Sequence, residues 1–440
     1  MFSQELEEVI VTARKRTENL QDVSVSVSHL GGEFMAEANL HRVEDFSAYI
    51  PNLSFSETAI GTNIYIRGIG SGINQGFEQS VGMYVDGIYY GRAQLTRAPI
   101  FDMEAVEVLR GPQVTLFGNN SVGGAIAQRT ARPTHEFEAS VTGLYEPNQD
   151  EKEAIFTVSG PLTDWMAARF SYRHYDLGGY FKNETLDRDE PERKYRTARV
   201  IFDLTPTDQL DFGLKLERST FDTTGRGLRV YQARPSVGFG ASVQSYANFN
   251  DVEGMNLGEI LSSFPSVGGA KVMDPDDEDV RYSNGDVSDN TTRNATFNLN
   301  YEFASGGVFT TILGYMDYEY NEDCDCDFTG AEIVPLKSTE KYNQRSAEFR
   351  FTSTAGERFD YIIGGYYQQD SLEFNDALFA LPDPSGLYDL LLGIPLVAGA
   401  APIITDRSTP RDFDQDARNK ALFGQVTWSI TDNFRSRLGL

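Results

Sequence analysis

From about Glu136 onward, apolar and polar residues alternate. In Asp208–Glu217, Leu210, Phe212, Leu214 and Leu216 take every second position, and Asp211, Gly213, Lys215 and Glu217 fill the gaps. A period of two belongs to a strand with one apolar and one polar face. Ala198, Val200, Phe202 and Leu204 repeat the pattern against Thr197, Arg199, Ile201 and Asp203, and so do Ala295, Phe297, Leu299, Tyr301 and Phe303 against Thr296, Asn298, Asn300 and Glu302. Phe359–Tyr367 follows it, and Leu422–Trp428 less cleanly. Each run is about ten residues, the length a tilted strand needs to cross a bilayer. The connections alternate in length. Short ones fall at 160–164, 205–208, 304–307, 353–357 and 431–432, and long ones at 177–193, 221–291, 321–341 and 371–416. Short turns at one end and long loops at the other predict a transmembrane antiparallel β-barrel with extracellular long loops, a lipid-facing apolar side and a polar lumen. Ten strands fit between Glu136 and Ile430, and an eleventh begins at Asn433. An odd count leaves an open edge, with unpaired backbone groups in lipid. The chain is therefore expected to be the first part of a longer one.

Before residue 134 the texture differs. Short apolar runs are punctuated by Gly and Asn, as expected of a compact α+β unit of ordinary domain size. Val23, Val25 and Val27 alternate with serines, Glu33 to Ile50 predicts a weak helix ending before Pro51, and 64–68, 81–88 and 106–112 predict short strands. The heptad Glu7-Glu8-Val9-Ile10-Val11-Thr12-Ala13 is β-prone and is followed by Arg14-Lys15-Arg16. It suits either an ordinary first strand or a strand added to a partner's sheet. Gly68, Gly70, Gly72 and Gly76 miss the dinucleotide-loop spacing by one residue, and no helix pattern follows. A flexible apical loop is the better reading.

Composition removes other classes. The 440 residues carry 38 Lys+Arg against 65 Asp+Glu, a net charge of -27, which argues against nucleic acid. His29, His41, His135 and His174 are scattered and have no metal-ligand spacing. The most apolar stretch, Leu390 to Ile404, is interrupted by Gly393, Pro395, Gly399 and Pro402, so no helix is expected to span a membrane. No G-x-S-x-G elbow or comparable catalytic constellation is present, and no cofactor is expected. Residues 1–5 lack the basic and apolar regions of a signal peptide, so an exported protein would have lost it, or the sequence is a fragment. The acidic run Asp274-Pro275-Asp276-Asp277-Glu278-Asp279 reads as a solvated loop rather than a calcium site. Cys324 and Cys326 form a C-x-C, for which a local disulfide is favoured over a metal site.

The first domain carries a resemblance. Ile50-Pro51-Asn52-Leu53, Ile66-Arg67-Gly68, Val85-Asp86-Gly87 and the run from Val106 through Gly111-Pro112-Gln113 to Leu116-Phe117-Gly118-Asn119-Asn120-Ser121-Val122-Gly123-Gly124-Ala125-Ile126 resemble, in order, the plug signatures of TonB-dependent outer-membrane receptors. Glu7–Ala13 resembles the TonB box. Val114 and Asn119 depart from the family, which more often has Gly and Arg there. The resemblance implies a 22-stranded barrel, of which about 10–11 strands are present, with an N-terminal α+β plug in its lumen. It divides the chain into a box segment (1–16), a plug (17–133) and the first barrel half (134–440).

It also implies function. Such receptors sit in the bacterial outer membrane, in contact with its lipid. They take up large, scarce ligands such as metal chelates and ferric siderophores, driven by TonB and its inner-membrane energising complex. Uptake of a saccharide or other nutrient is the alternative, and a passive channel is a more distant one, since a porin has no plug. The ligand would meet the plug's apical residues, here Ser71, Asn74, Gln75, Tyr89, Tyr90 and Arg92. In the family, arginines at two plug motifs pair with barrel glutamates. Alternation turns Glu348 into the lumen with Ser346 and Arg350, so Glu348 is expected to meet Arg67 or Arg110.

Overall fold

The computed structural model describes residues 10–12, 15–16, 18–57, 61–72, 76–97, 100–232, 257–262, 269–331, 335–354, 358–380, 407–431 and 434–439. The N-terminal elements are β1 (Ile10–Val11), β2 (Glu18–Asn19), β3 (Ser26–Gly31), α1 (Gly32–Glu37), β4 (Leu53–Glu57), β5 (Thr62–Ile66), β6 (Ile69–Gly70), β7 (Val81–Val85), β8 (Ile88–Tyr89), β9 (Met103–Arg110), α2 (Val114–Phe117) and β10 (Gly124–Thr130). β1 pairs with β2, and β4-β5-β6 form a small sheet. The central sheet has the order β3-β9-β10-β7-β8, with β10 parallel to β7. Phe46, Ile50, Ile64, Ile66, Val106, Val108 and Ile126 are buried at its core. The single helix expected over Glu33 to Ile50 is two pieces, α1 and a 3-10 turn at Val43–Ala48. Asn39, at φ 54°, ends the first, a left-handed conformation that Asn tolerates.

The wall comprises β11 (Glu138–Glu146), β12 (Glu151–Thr163), β13 (Met166–Leu177), β14 (Phe181–Asn183), β15 (Arg188–Glu190), β16 (Glu192–Thr207), β17 (Leu210–Thr224), β18 (Val280–Arg281), β19 (Val287–Glu302), β20 (Val308–Asp325), β21 (Pro335–Thr352), β22 (Phe359–Ala380), β23 (Arg407–Thr431) and β24 (Phe434–Gly439). Eleven of these form one antiparallel sheet in chain order, and β14, β15 and β18 make a small sheet within the long loops. The sheet is not closed among the described residues. Its faces follow the alternation. Leu210–Leu216 and Ala295–Phe303 put their apolar members on one side, and Lys215, Asn294 and Thr296 are buried on the other. At the short-turn end the outward face carries an aromatic girdle, with ring centroids of Tyr301 and Phe303 4.9 Å apart, Phe303 and Phe351 5.9 Å, and Phe359 and Trp428 5.8 Å. Such girdles sit at membrane–water boundaries.

Two expectations need correction. The strands are longer than one bilayer crossing: β16 has 16 residues, β20 has 18 and β23 has 25. Much of 321–341 and 371–416 is therefore ladder rather than loop. Beyond the lipid both faces meet water, so backbone pairing continues after the apolar alternation stops. Nor is the inner face polar throughout. Met316, Tyr318, Tyr320, Tyr342, Leu372 and Phe374 are buried against the N-terminal domain, in one core with its Leu95 and Ile100. The inner face is apolar where protein, not water, fills the lumen.

Asp276 and Thr207 are both exposed, at opposite ends of the wall. A thiol reagent that does not cross membranes should label Asp276→Cys on intact cells and leave Thr207→Cys unlabelled. The reverse pattern would invert the topology.

Candidate functional site

The N-terminal domain is fastened to the inner wall by charge. Asp86 and Gly87, at φ 49° and 83°, make the two-residue turn joining β7 to β8. Asp-Gly suits such a turn because both positions are left-handed. A Cβ on Gly87 would sit 2.9 Å from Ile312 Cδ1, so the turn lies directly against the wall. The Asp86 carboxylate accepts the Thr130 N–H at 2.9 Å and the Thr130 hydroxyl at 3.0 Å, and takes the Lys215 ammonium of β17. Asp102 is held by Arg169 of β13, with Nη2 2.5 Å and Nε 2.9 Å from its oxygens. Arg199 of β16 pairs with Glu217 and donates to the carbonyls of Phe101 and Asp102, each at 3.1 Å. Arg132 forms a two-pronged pair with Asp203.

Burial is the largest influence on both carboxyls and works to raise their pKa. Lys215 and the Thr130 N–H outweigh it at Asp86, and Arg169 and Ser171 outweigh it at Asp102, so both end below the usual carboxylate range. A depressed folded pKa gives stability that is complete above the unfolded value of about 3.9 and is lost as pH falls through the folded one. Dye leakage through reconstituted protein should stay flat from pH 8 to 5 and rise only below about pH 4. Leakage already rising at pH 6 would show that other groups hold the domain.

The expected pairing of Glu348 is corrected. Its partners are Lys15 Nζ at 2.6 Å and Arg350 Nη1 at 2.6 Å, and among the described residues no ion pair joins it to Arg67 or Arg110. Arg67, at φ 53°, occupies the exposed turn between β5 and β6. Arg110 donates to Ser28 Oγ, across the ladder that pairs β9 with β3. Alternation identified the face of Glu348, but the reach of the partner depends on how the plug sits. The basic run after the heptad supplies the contact, and Arg16 adds a second one to Asp360 at 2.6 Å.

Of the heptad, Glu7, Glu8, Val9 and Ala13 lie outside the described residues. Ile10–Val11 pairs with Glu18–Asn19, and Val11 is buried. The Thr12 N–H donates to the Glu107 carboxylate at 2.9 and 3.2 Å, and Arg129 donates to the Thr12 hydroxyl.

The apical candidates separate. Asn74 and Gln75 lie outside the described residues. Tyr90 is buried in the core and Tyr89 is 1 % exposed, its hydroxyl 3.3 Å from Glu78, so neither ring lines an open surface. Ser71 bonds Ser80 at 2.8 Å. Arg92 does line a cleft of about 280 Å³, with Phe77, Glu78, Asn119, Asn120, Gln368, Asp370 and Gln415. It donates to Gln415 at 3.2 Å and lies 5.3 Å from the Tyr342 ring, while its Nε and Nη1 are buried without a hydrogen-bond partner. Arg92 is itself 2% exposed and these two nitrogens are covered, so it braces the cleft's wall rather than offering open donors. Sequence reasoning missed Glu78, Gln368 and Asp370. Asn119 and Asn120, inside a quoted signature, were the visible signal.

Cys324 and Cys326 are joined to one another, with Cα atoms 5.2 Å apart. Among the described residues no group of three or more His, Cys, Asp and Glu gathers as a metal site.

A wall with a lipid-facing apolar band, its inner face occupied by a charge-fastened domain, defines a plugged outer-membrane barrel. Residues 19–125 match the family model "TonB-dependent Receptor Plug Domain". This segment is a plug domain of the TonB-dependent receptors, a family of receptors and transporters rather than enzymes, and the chain as a whole is similar to outer-membrane receptors of that family. It is 21% identical over 432 residues to the pesticin receptor of Yersinia pestis, covering 97% of this chain and 54% of that one. It shares the fold of the ferric yersiniabactin uptake receptor of Yersinia pestis, with a TM-score of 0.70, 20% identity, and coverage of 94% of this chain and 56% of that one. It also shares the fold of the ferripyoverdine receptor of Pseudomonas aeruginosa, with a TM-score of 0.67, 19% identity, and coverage of 98% and 53%. The chain spans about half the length of the relatives it matches.

Proposed function

We propose that this chain is the box, plug and leading barrel wall of a transporter that takes up a ferric siderophore or similar large chelate, driven by TonB. The observation that carries the reading is the folded plug held across the inner wall by Asp86–Lys215, Asp102–Arg169 and Arg132–Asp203. A passive channel has no use for such a domain, whereas gated uptake requires one. The names of two of the relatives, receptors for ferric yersiniabactin and ferripyoverdine, favour an iron chelate over a saccharide. Glu7–Ala13 serves as the TonB box, its backbone pairing as an added strand. In this reading the cleft braced by Arg92 and lined by Phe77, Glu78, Asn119 and Asn120 meets the ligand. A strain lacking the protein should fail to grow on one or more ferric siderophores under iron limitation and grow normally on saccharides. Loss of growth on a saccharide alone would reassign the cargo.

A further inference from the structure

One strand of the wall turns a single chemistry inward. On β19 the inward positions are Ser288, Asn290, Thr292, Asn294, Thr296, Asn298 and Asn300, all hydroxyl or amide side chains without charge. They take every second residue, so they stand about 7 Å apart in a file about 40 Å long. Asn298 and Asn300 are half-buried, and the others are buried. The flanking strands carry no such file. Lys215 and Phe221 of β17, and Met316, Tyr318 and Tyr320 of β20, put charge and bulk on the same surface.

The file is partly unsatisfied. Asn294 Nδ2 donates to Glu217 at 2.9 Å and Asn300 Nδ2 to Asp211 at 3.0 Å. Ser288 Oγ, Asn290 Oδ1 and Asn294 Oδ1 are buried without a hydrogen-bond partner, on residues 1%, 6% and 6% exposed. Thr223 Oγ1, on the β17 residue opposite Ser288, is unpartnered too. Buried acceptors left unmet destabilise the resting wall unless something else uses them.

The plug also grips this strand lightly. Its ion pairs reach β13, β17, β21 and β22 through Asp102–Arg169, Asp86–Lys215, Lys15–Glu348 and Arg16–Asp360. Among the described residues none reaches β19, where Asn290 Nδ2 donates to the Gln94 carbonyl at 3.4 Å. Gln94 lies in the 3-10 turn Ala93–Arg97, and Arg92, just before that turn, lines the apical cleft. At the other end Asn298 and Asn300 line a cavity of about 480 Å³ together with Thr12, Lys15 and Arg16. The file thus runs from the turn beside the cleft to the segment that follows Glu7–Ala13. Fixed charges along such a path would trap or repel a charged ligand, whereas evenly spaced neutral donors and acceptors bind weakly at many points and let go. Glu78 and Asp370 at the cleft disfavour an anionic ligand in the same way.

We propose that the inner face of β19 is the track along which the ligand passes the plug, and that the ligand presents neutral hydroxyl, amide or carbonyl groups to it. This rests on the uptake reading and adds to it the route and the chemical class.

The test follows radioactive iron into whole cells from a neutral ferric trihydroxamate and from an anionic ferric tricatecholate. Thr292→Val and Thr296→Val keep the side-chain shape and remove two hydroxyls from the middle of the track. The neutral chelate should be imported by the unaltered protein. The double variant should bind it equally on ice and import it about tenfold more slowly, and each single variant should show part of the loss. Heat-dependent gel mobility checks that the variants fold. Thr197→Val removes an inward hydroxyl of β16, outside the track, and should leave the rate unchanged. Undiminished import by the double variant, or equal slowing by Thr197→Val, would overturn the track and leave the acceptors to lumen water. Import of the tricatecholate alone, or of neither chelate, would overturn the ligand class. Normal growth of the deletion strain on every ferric siderophore would instead remove the uptake reading itself, before any variant is compared.

Discussion

Val9→Pro is expected to abolish uptake while leaving ligand binding at the cell surface unchanged. An added strand is held by its backbone, and proline at the third residue of the heptad removes one of its N–H groups. A ladder bond left unmade costs about 1–3 kcal/mol, or roughly five- to a hundredfold in affinity for the partner strand. The structure adds a competing state. Val11 is buried, Ile10–Val11 pairs with Glu18–Asn19, and the Thr12 N–H is spent on Glu107. These contacts must be released before the same backbone can serve another sheet. Glu107→Gln keeps the shape and drops the charge, so it should increase capture of the partner's soluble domain in the absence of ligand, the opposite sign to Val9→Pro. Neither Ser71 nor Arg92 shares a hydrogen bond or ion pair with Glu107 among the described residues, so equilibrium ligand binding on whole cells is the control. Normal uptake by Val9→Pro would remove Glu7–Ala13 from the mechanism.

The wall was legible because lipid imposes a simple rule on it. Leu210, Phe212, Leu214 and Leu216 must all face one way, and a register slip would turn every one of them into the lumen. That rule weakens wherever protein or water replaces lipid. The upper halves of β20 to β23 pair as well as the lower halves, but Asn321, Glu322 and Asp323 give no alternation to read. Tyr318, Tyr320 and Tyr342 break the polar lumen because the plug packs on them. The Asp86-Gly87 turn was visible as a motif, yet its partner Lys215 stands 129 residues away and was seen only as a lumen position. Arg67 and Arg110 failed as partners of Glu348 for the same reason. Alternation assigns a face, whereas an ion pair also needs depth and plug orientation, which no local pattern encodes. Lys15 was in plain view, within a basic run whose role was not apparent.

Arg281→Ala is expected to release the long loops from one another while leaving the wall intact. Arg281 is 2% exposed and stands between two carboxylates, with Nη1 2.9 Å from Glu190 and Nη2 3.0 Å from Asp286. Nη1 also donates to the Arg226 carbonyl at 2.8 Å. Asp286 accepts the Asp325 N–H at 2.8 Å, and Asn183 Nδ2 donates to Glu190 at 3.0 Å. One guanidinium thus ties together the loops after β13, β17 and β20. Removing it leaves Glu190 with Arg188 and Asp286 with Arg226, so each of these carboxylates, at most 1% exposed, loses one of its two cations, and losing a hydrogen bond to a charged group costs about 1.5–3 kcal/mol. The loss is local, because Leu210–Leu216 and the aromatic girdle do not depend on it. Cleavage by a protease outside the cell follows the population of the opened loops when reclosing is fast. It should therefore rise roughly ten- to a hundredfold in the loop between Thr224 and Val287. The heat-dependent gel mobility of the barrel should be unchanged. Adding Glu190→Gln to Arg281→Ala removes one of the two carboxylates left short of a cation and should restore part of the protection, a coupling that two independent sites would not show. Unchanged cleavage in Arg281→Ala would mean that β14, β15 and β18 hold the loops without the ion network.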